Sequence, residues 1–581
     1  MKKDTLLKNT FFIICLLGSV MSFSACTKPT ASYEKASAES LMEVKDNNVL
    51  YETAMAEPVL YLTVGWEKDR KNTGYYSWTD INSHDISWYE TNDEDIHYCE
   101  ALVQFGDETG PSSTSFGYGT LTPNATVRLI GHKASKRPQK SYKVKINSGS
   151  GNVSGVKNFN LKKCFGDPFR FLNKLSTELI RDIDPLLSTR TEFVHLYVKD
   201  NSLEGNQLFV DYGLYTMTVS VNKRYLSNRN LDSSGELYDV ENFDFRRHED
   251  VIVQPTDSRY DQKKFEQLLE AEGSNDYSKL IRMLDALNDD SKDIESIVNS
   301  YFNEDNLYSF MALNILMDNK DTDTEKFYLY SPVGSEKFYF IPGDMDGSLR
   351  ADYRLVRDQD YSAGWEKGIF IFNDSVLFSK ILKNRNCINK LSEYVKELHN
   401  SVLSPDNVSE KAVELSKTVK PFLFSPPDMK FARVSEEEYG TLISEIPLQM
   451  EDNYYSYNDS LLTPWPFHIK EPTILDDDTI TLNWEESFIL DSNITYDVTL
   501  SDSWGFNNIL VSKTGLTKTS LNINSLEPGQ YFLKVVAKSD NSYGLEQEAY
   551  EYYNTETKKT IHGVMCFYVM DNGSIKALTY K

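Results

Sequence analysis

Phe338-Tyr339-Phe340-Ile341-Pro342-Gly343-Asp344-Met345-Asp346-Gly347-Ser348 is the stretch on which the reading of this chain turns. A short apolar run closing on Pro-Gly and then on two aspartates predicts a strand that carries carboxylates at its end. Phe327-Tyr328-Leu329-Tyr330, just upstream, reads as its hairpin partner. Before that, Asn306 to Met317 has Ser309 and Asn314 as its polar breaks, so a buried helix is expected. The loop Asp318-Asn319-Lys320-Asp321-Thr322-Asp323 joins helix to hairpin. Such a path returns the chain to its starting end, so the acids near 321 can meet those near 344 around a hard divalent cation.

Aspartate is also common in turns that bind nothing. A calcium loop starting at Asp321 fails, because its sixth position is Lys326 rather than Gly and its twelfth is Pro332 rather than Glu. A phosphatase with Asp344 as nucleophile needs the motif to open a parallel βα sheet. Here it ends a hairpin behind helices.

Working outward, Val59–Val64, Tyr98–Phe105, Val127–Ile130 and Ser141–Ile146 read as strands, the last with Tyr142, Val144 and Ile146 on one face. Asp167–Ile183 has helical spacing, Glu192–Val198 and Gly213–Val221 are further strands, and helices fill roughly 261–318 and 376–460. Pro464-Trp465-Pro466 marks a boundary, beyond which short strands and Leu526-Glu527-Pro528-Gly529-Gln530-Tyr531 predict a β-sandwich that resembles a fibronectin type III domain.

At the other end, Lys2, Lys3 and Lys8 precede the apolar run Phe11–Val20, too short to span a bilayer, and Phe23-Ser24-Ala25-Cys26 resembles a lipobox. The expectation is a signal peptide over 1–25, a lipid on Cys26, a tether over 26–55, and an extracytoplasmic, membrane-anchored protein. Losing three lysines and one aspartate takes the formal charge from −26 to −28. That acidity excludes nucleic acid as a partner, and a phosphate site needs its own cluster of Lys and Arg. Cys99, Cys164, Cys387 and Cys566 have no metal spacing; disulfides and buried free thiols are both open.

Several blocks in order are similar to the CotH kinases, named for spore coat protein H: Arg128 to Ser135, Pro138 to Lys145, Phe171 to Leu175, Gly213-Leu214-Tyr215, and Met311 to Tyr330 with Phe338 to Ser348. The resemblance implies an α+β fold, with an atypical two-lobed kinase-like domain over 56–462 and the fibronectin type III-like domain over 467–581. It implies ATP and a divalent metal (Mg, Mn or Ca) as cofactors, and spore-coat or other extracytoplasmic proteins as serine-bearing substrates. By motif, Lys140 contacts nucleotide phosphates, Asp321 serves the catalytic loop, Asp344 and Asp346 with Asp321 hold the metal, and Phe338 stacks on adenine. Ile130, Val219 (or Thr218), Asp239 and Lys326 depart from the pattern, replacing an Arg, a Glu, a Lys and an Asn. The alternative function is therefore a catalytically degenerate scaffold that docks surface partners.

Overall fold

The computed structural model describes residues 44–66, 75–202, 208–319, 322–350, 366–475, 479–541 and 543–578. The signal segment and Cys26 lie outside them.

The architecture is mixed α+β. Strands β1 (Val59–Val64), β2 (Tyr98–Asp107), β3 (Gly110–Pro111), β4 (Ala125–Ile130), β5 (Ser141–Ile146), β6 (Asn158–Lys162), β7 (Thr191–Asp200) and β8 (Val210–Val219) form one sheet in the order β1-β7-β8-β6-β5-β4-β2-β3. Because β1 also pairs with β2, seven of these strands close into a ring, parallel only at β1–β7. Closure removes the sheet edges, and the ring fills with Leu60, Leu62, Val103, Val127, Val144, Phe159 and Met217.

A second, antiparallel sheet runs β10 (Leu269–Ala271), β9 (Glu236–Val240), β11 (Phe327–Ser331), β12 (Tyr339–Pro342) in spatial order. Alternation gives it two different faces. Phe327, Leu329 and Phe340 pack on the helices, while Leu237, Tyr330, Tyr339 and Ile341 join the ring's core. Asp239 and Tyr328, in register with each other, share the second face.

The expected buried helix spans Glu304–Leu316, with every residue from Asn306 onward buried and Asn303 accepting from the Asn306 amide as its N-cap. Asn306 also acts as a short strand: its Nδ2 donates to the Phe340 carbonyl at 3.0 Å and its Oδ1 accepts from the Phe340 amide at 2.6 Å. This pins β12, and so Asp344, to the helix.

One expectation changes. Residues 44–55 are not tether: Val44 and Met55 are buried, and the Asp46 carboxylate accepts from Arg229 Nε at 2.8 Å, the Ser188 amide at 2.7 Å and the Tyr51 hydroxyl at 2.7 Å. Arg229, with a side chain only 2% exposed, needs that counter-charge, which a count of polar residues does not reveal. The four cysteines of the described residues are all buried, and none is in a disulfide.

After the helix Glu436–Ser460 the chain is β-rich. Two antiparallel sheets, one holding Ile469–Ile474, Ile480–Trp484 and Ser520–Ile523, the other centred on Ile494–Ser501, Gly529–Ser539 and Val564–Val569, enclose Leu482, Trp484, Tyr496, Leu533 and Phe567. Tyr531 donates its hydroxyl back to the Glu527 carbonyl at 2.7 Å.

Candidate functional site

Along β4, β5 and β6 the apolar residues turn into the ring, so the residues between them share its outer face. The register sets Arg128 against Lys143, Lys143 against Asn160 and Asn160 against Thr218, a polar row across four strands. Lys162 stands opposite Thr216 in a neighbouring row. Asn160 Oδ1, Thr218 Oγ1 and Ser220 Oγ are buried yet have no hydrogen-bond partner. Buried polar atoms are nearly always satisfied, so these three atoms are open to a water or another polar group.

The row looks onto β9 and the end of β12. Asp344 Oδ2 lies 2.8 Å from Lys162 Nζ. Burial opposes the charge on Asp344, but Lys162, Lys326 and the Asn173 amide outweigh it and hold the carboxyl well below its usual range. Burial likewise opposes the charge on Lys162, and Asp344 and Asp346 outweigh it. Asp346 donates its amide to Asp344 Oδ1 at 3.3 Å, and the Met345 amide donates to Asn173 Oδ1 at 3.2 Å.

Loop and strand end touch through Asn319 Nδ2, 3.0 Å from Met345 Sδ, and the Leu349 amide, which donates to the Met317 carbonyl at 2.7 Å, whereas the described loop acid Asp323 accepts from the Asp374 amide at 2.6 Å. Asp321 itself lies outside the described residues. The Lys140 ammonium donates to the carbonyl of Ser135, at the end of the short helix His132–Ser135 before β5, and Lys162 is the lysine that pairs with Asp344. Phe338 is fully buried beside Phe302 in the helical core and offers no surface to adenine. Alternation in Asn158-Phe159-Asn160-Leu161-Lys162 was the sequence signal that could have found Lys162.

The set around Asp344 does not fit a divalent ion. Two ammonium groups, Lys162 and Lys326, answer Asp344 and Asp346, with the buried Asp167 carboxyl beside Asp346 pushed up to about 7 by burial. A divalent ion bound to Asp344 would sit roughly 5 Å from the Lys162 ammonium, which at an effective dielectric near 20 would oppose it by about 7 kcal/mol.

Carboxylate oxygens of Asp239, Glu241 and Glu270 lie within 4.8 Å of one another across β9 and β10. Burial, then Glu241 and Glu270, push the Asp239 carboxyl up to about 8, against the pull of the Tyr328 hydroxyl and Lys143. A carboxyl raised on folding contributes stability that is complete below its unfolded pKa near 4 and is lost as pH rises toward about 8. Asp239→Asn should thus melt higher than the parent at pH 8, by about 1–3 kcal/mol, and close to it at pH 4. Melting curves over pH 4–9 test this, and identical pH profiles for the two proteins would contradict it.

A buried cluster holds the far side of β6 and β8. Lys163 Nζ lies 2.7 Å from Asp428 Oδ1 and donates to the Tyr212 and Leu214 carbonyls at 2.7 and 3.0 Å. Asp428 also accepts from Gln139 Nε2 at 2.7 Å and from the Leu214 amide at 3.1 Å. Gly213, at φ +76°, is required here because a Cβ would come within 2.4 Å of the Asp428 carboxylate.

The family described as CotH kinase protein matches residues 127–446. Among solved structures, a Helicobacter pylori proinflammatory kinase, CtkA, is similar at a TM-score of 0.26 and 9% identity, over 55% of this chain and 94% of that one. No curated protein matches the chain.

Proposed function

The chain belongs to the CotH kinase protein family, and from that premise we propose that it is a surface-tethered, kinase-like protein that binds ATP between the ring and the four-stranded sheet and phosphorylates serine hydroxyls of extracytoplasmic proteins. The Lys162–Asp344 pair beneath the unsatisfied polar row carries this reading. Arg128, Lys143 and Lys162 supply the local positive charge that a phosphate chain needs in so acidic a protein. Asp321, from its place in the loop after the buried helix, orients the acceptor hydroxyl. Phosphoryl transfer asks chiefly for positioning and charge neutralisation, which these residues can provide.

Ring and helices then make the two lobes of the kinase-like unit, which runs to about 462, and 467–581 makes a fibronectin type III-like unit. Support for the latter is the Tyr531 hydroxyl bonded back to Glu527, as in the tyrosine corner of such sandwiches. Signal residues 1–25 and a lipid on Cys26 put the whole outside the cytoplasm, where spore-coat or other surface proteins are the substrates. Lys326 and Asp239 favour a second reading, a scaffold that has lost transfer and keeps only the docking surface.

Incubation with γ-labelled ATP separates the two. The kinase reading expects label on the protein or on serine-bearing surface proteins, reduced about a hundredfold or more in Asp321→Asn. Label that survives the substitution sinks the assignment of Asp321. Nucleotide binding without any label establishes the scaffold.

A further inference from the structure

We propose that the phosphate site works without a divalent cation, with Lys162 and Lys326 supplying at Asp344 the positive charge that a metal would otherwise bring. The ligand class, a nucleoside di- or triphosphate, rests on the reading above. The exclusion of the metal rests on the ion cluster alone.

Backbone contacts fix Lys326 beside Asp344. The Gly343 amide donates to the Lys326 carbonyl at 3.1 Å, and the Lys326 amide donates to the Val240 carbonyl at 3.1 Å. The approach is so close that a Cβ on residue 343 would lie 2.3 Å from the Lys326 oxygen. The Lys326 main chain is thereby held at the strand end. From the opposite side, β6 brings Lys162 Nζ to 2.8 Å from Asp344 Oδ2. Asn173, on the helix Leu172–Arg181, completes the surround with a hydrogen bond to Asp344. Lys162, Lys326 and Asn173 thus answer the carboxylate, whose side chain stays 29% exposed. Hard divalent ions need several oxygen ligands with an excess of negative charge, whereas phosphate oxygens are well served by ammonium donors on two sides.

Two titrations decide the matter. In the first, Mn2+ alone is added to the full protein and to its Asp344→Asn variant, with bound ion read by paramagnetic resonance. The difference between the two curves cancels ions held elsewhere. No difference is expected, and one ion fewer in Asp344→Asn would overturn the proposal. Lys326→Asn, which removes one ammonium, should gain an Mn2+ site. In the second, a fluorescent ATP analogue is titrated with EDTA or with Mg2+. Dissociation constants within about twofold are expected, and tightening by tenfold or more with Mg2+ (about 1.4 kcal/mol) would overturn it. Failure of the analogue to bind under both conditions refutes the nucleotide reading, while the Mn2+ result still judges the metal-free site.

Discussion

Replacing Asp428 with alanine is expected to lower the stability of the folded core by about 3–5 kcal/mol, the cost of removing one member of a buried ion pair. Lys163 has a side chain 2% exposed and Asp428 one 6% exposed, so neither charge can turn to water when its partner leaves. Burial already pulls the Lys163 ammonium down to about 8 even with Asp428 present, and without that carboxylate the neutral amine becomes the dominant form. The Leu214 amide and the Gln139 side chain lose their acceptor at the same time. Denaturant titration should show the midpoint of the core's transition fall markedly. Replacing both charges, as Lys163→Met with Asp428→Leu, should recover most of the loss, because a buried pair exchanged for apolar residues of similar volume is close to neutral. A single variant as stable as the parent would mean that the pair is not buried as described. The site itself depends on this lock, since β6 carries Lys162 directly before Lys163, and β8 sets Thr216 opposite Lys162.

The second large effect is expected at Lys162. Lys162→Met removes the ammonium 2.8 Å from Asp344 and leaves that carboxylate with Lys326 and Asn173. Nucleotide affinity should fall by about 2–3 kcal/mol, roughly 30- to 150-fold, the worth of a charge-assisted contact in a buried setting. The fold should survive, because Met keeps the volume of the aliphatic stem and Lys326 still answers the charge on Asp344. Lys140→Met, by contrast, should leave affinity within about twofold, because Lys140 is bonded into its own loop. A fluorescent nucleotide titration of both variants checks the pair. Loss of binding in Lys140→Met and not in Lys162→Met would reverse the assignment.

Those two lysines also show what could be read from the sequence. Periodicity exposed the elements, because a mostly apolar stretch at 306–317 and alternation at 141–146 follow directly from burial. The observed Ser141–Ile146 strand coincides with its expected span, and the helix Glu304–Leu316 differs by a residue or two at each end. Contact between the loop after that helix and the Asp344 strand end was legible too, since a hairpin must return, but the turn of Asp323 toward the Asp374 amide was not. What alternation could not supply was cross-strand register. Only pairing of β4 with β5, β6 and β8 shows that Arg128, Lys143, Asn160 and Thr218 form one row. The motif points to Lys140, one residue before the strand, whereas the lysine paired with Asp344 lies inside β6. Phe338 misled for a related reason: an aromatic beside a candidate site reads alike whether it faces the ligand or the helices behind the sheet. Asp46 escaped because its value lies in a partner 183 positions away.

Amide hydrogen exchange with and without ATP tests the central claim most directly, because it reports where the nucleotide sits without assuming a role for any residue. If ATP lies between the ring and the second sheet, protection should rise in segments 126–146, 158–162, 214–220, 237–241 and 343–349, and stay unchanged in the β-rich segment 469–578. No added protection in those cleft segments, or protection confined to the C-terminal strands, would contradict the account.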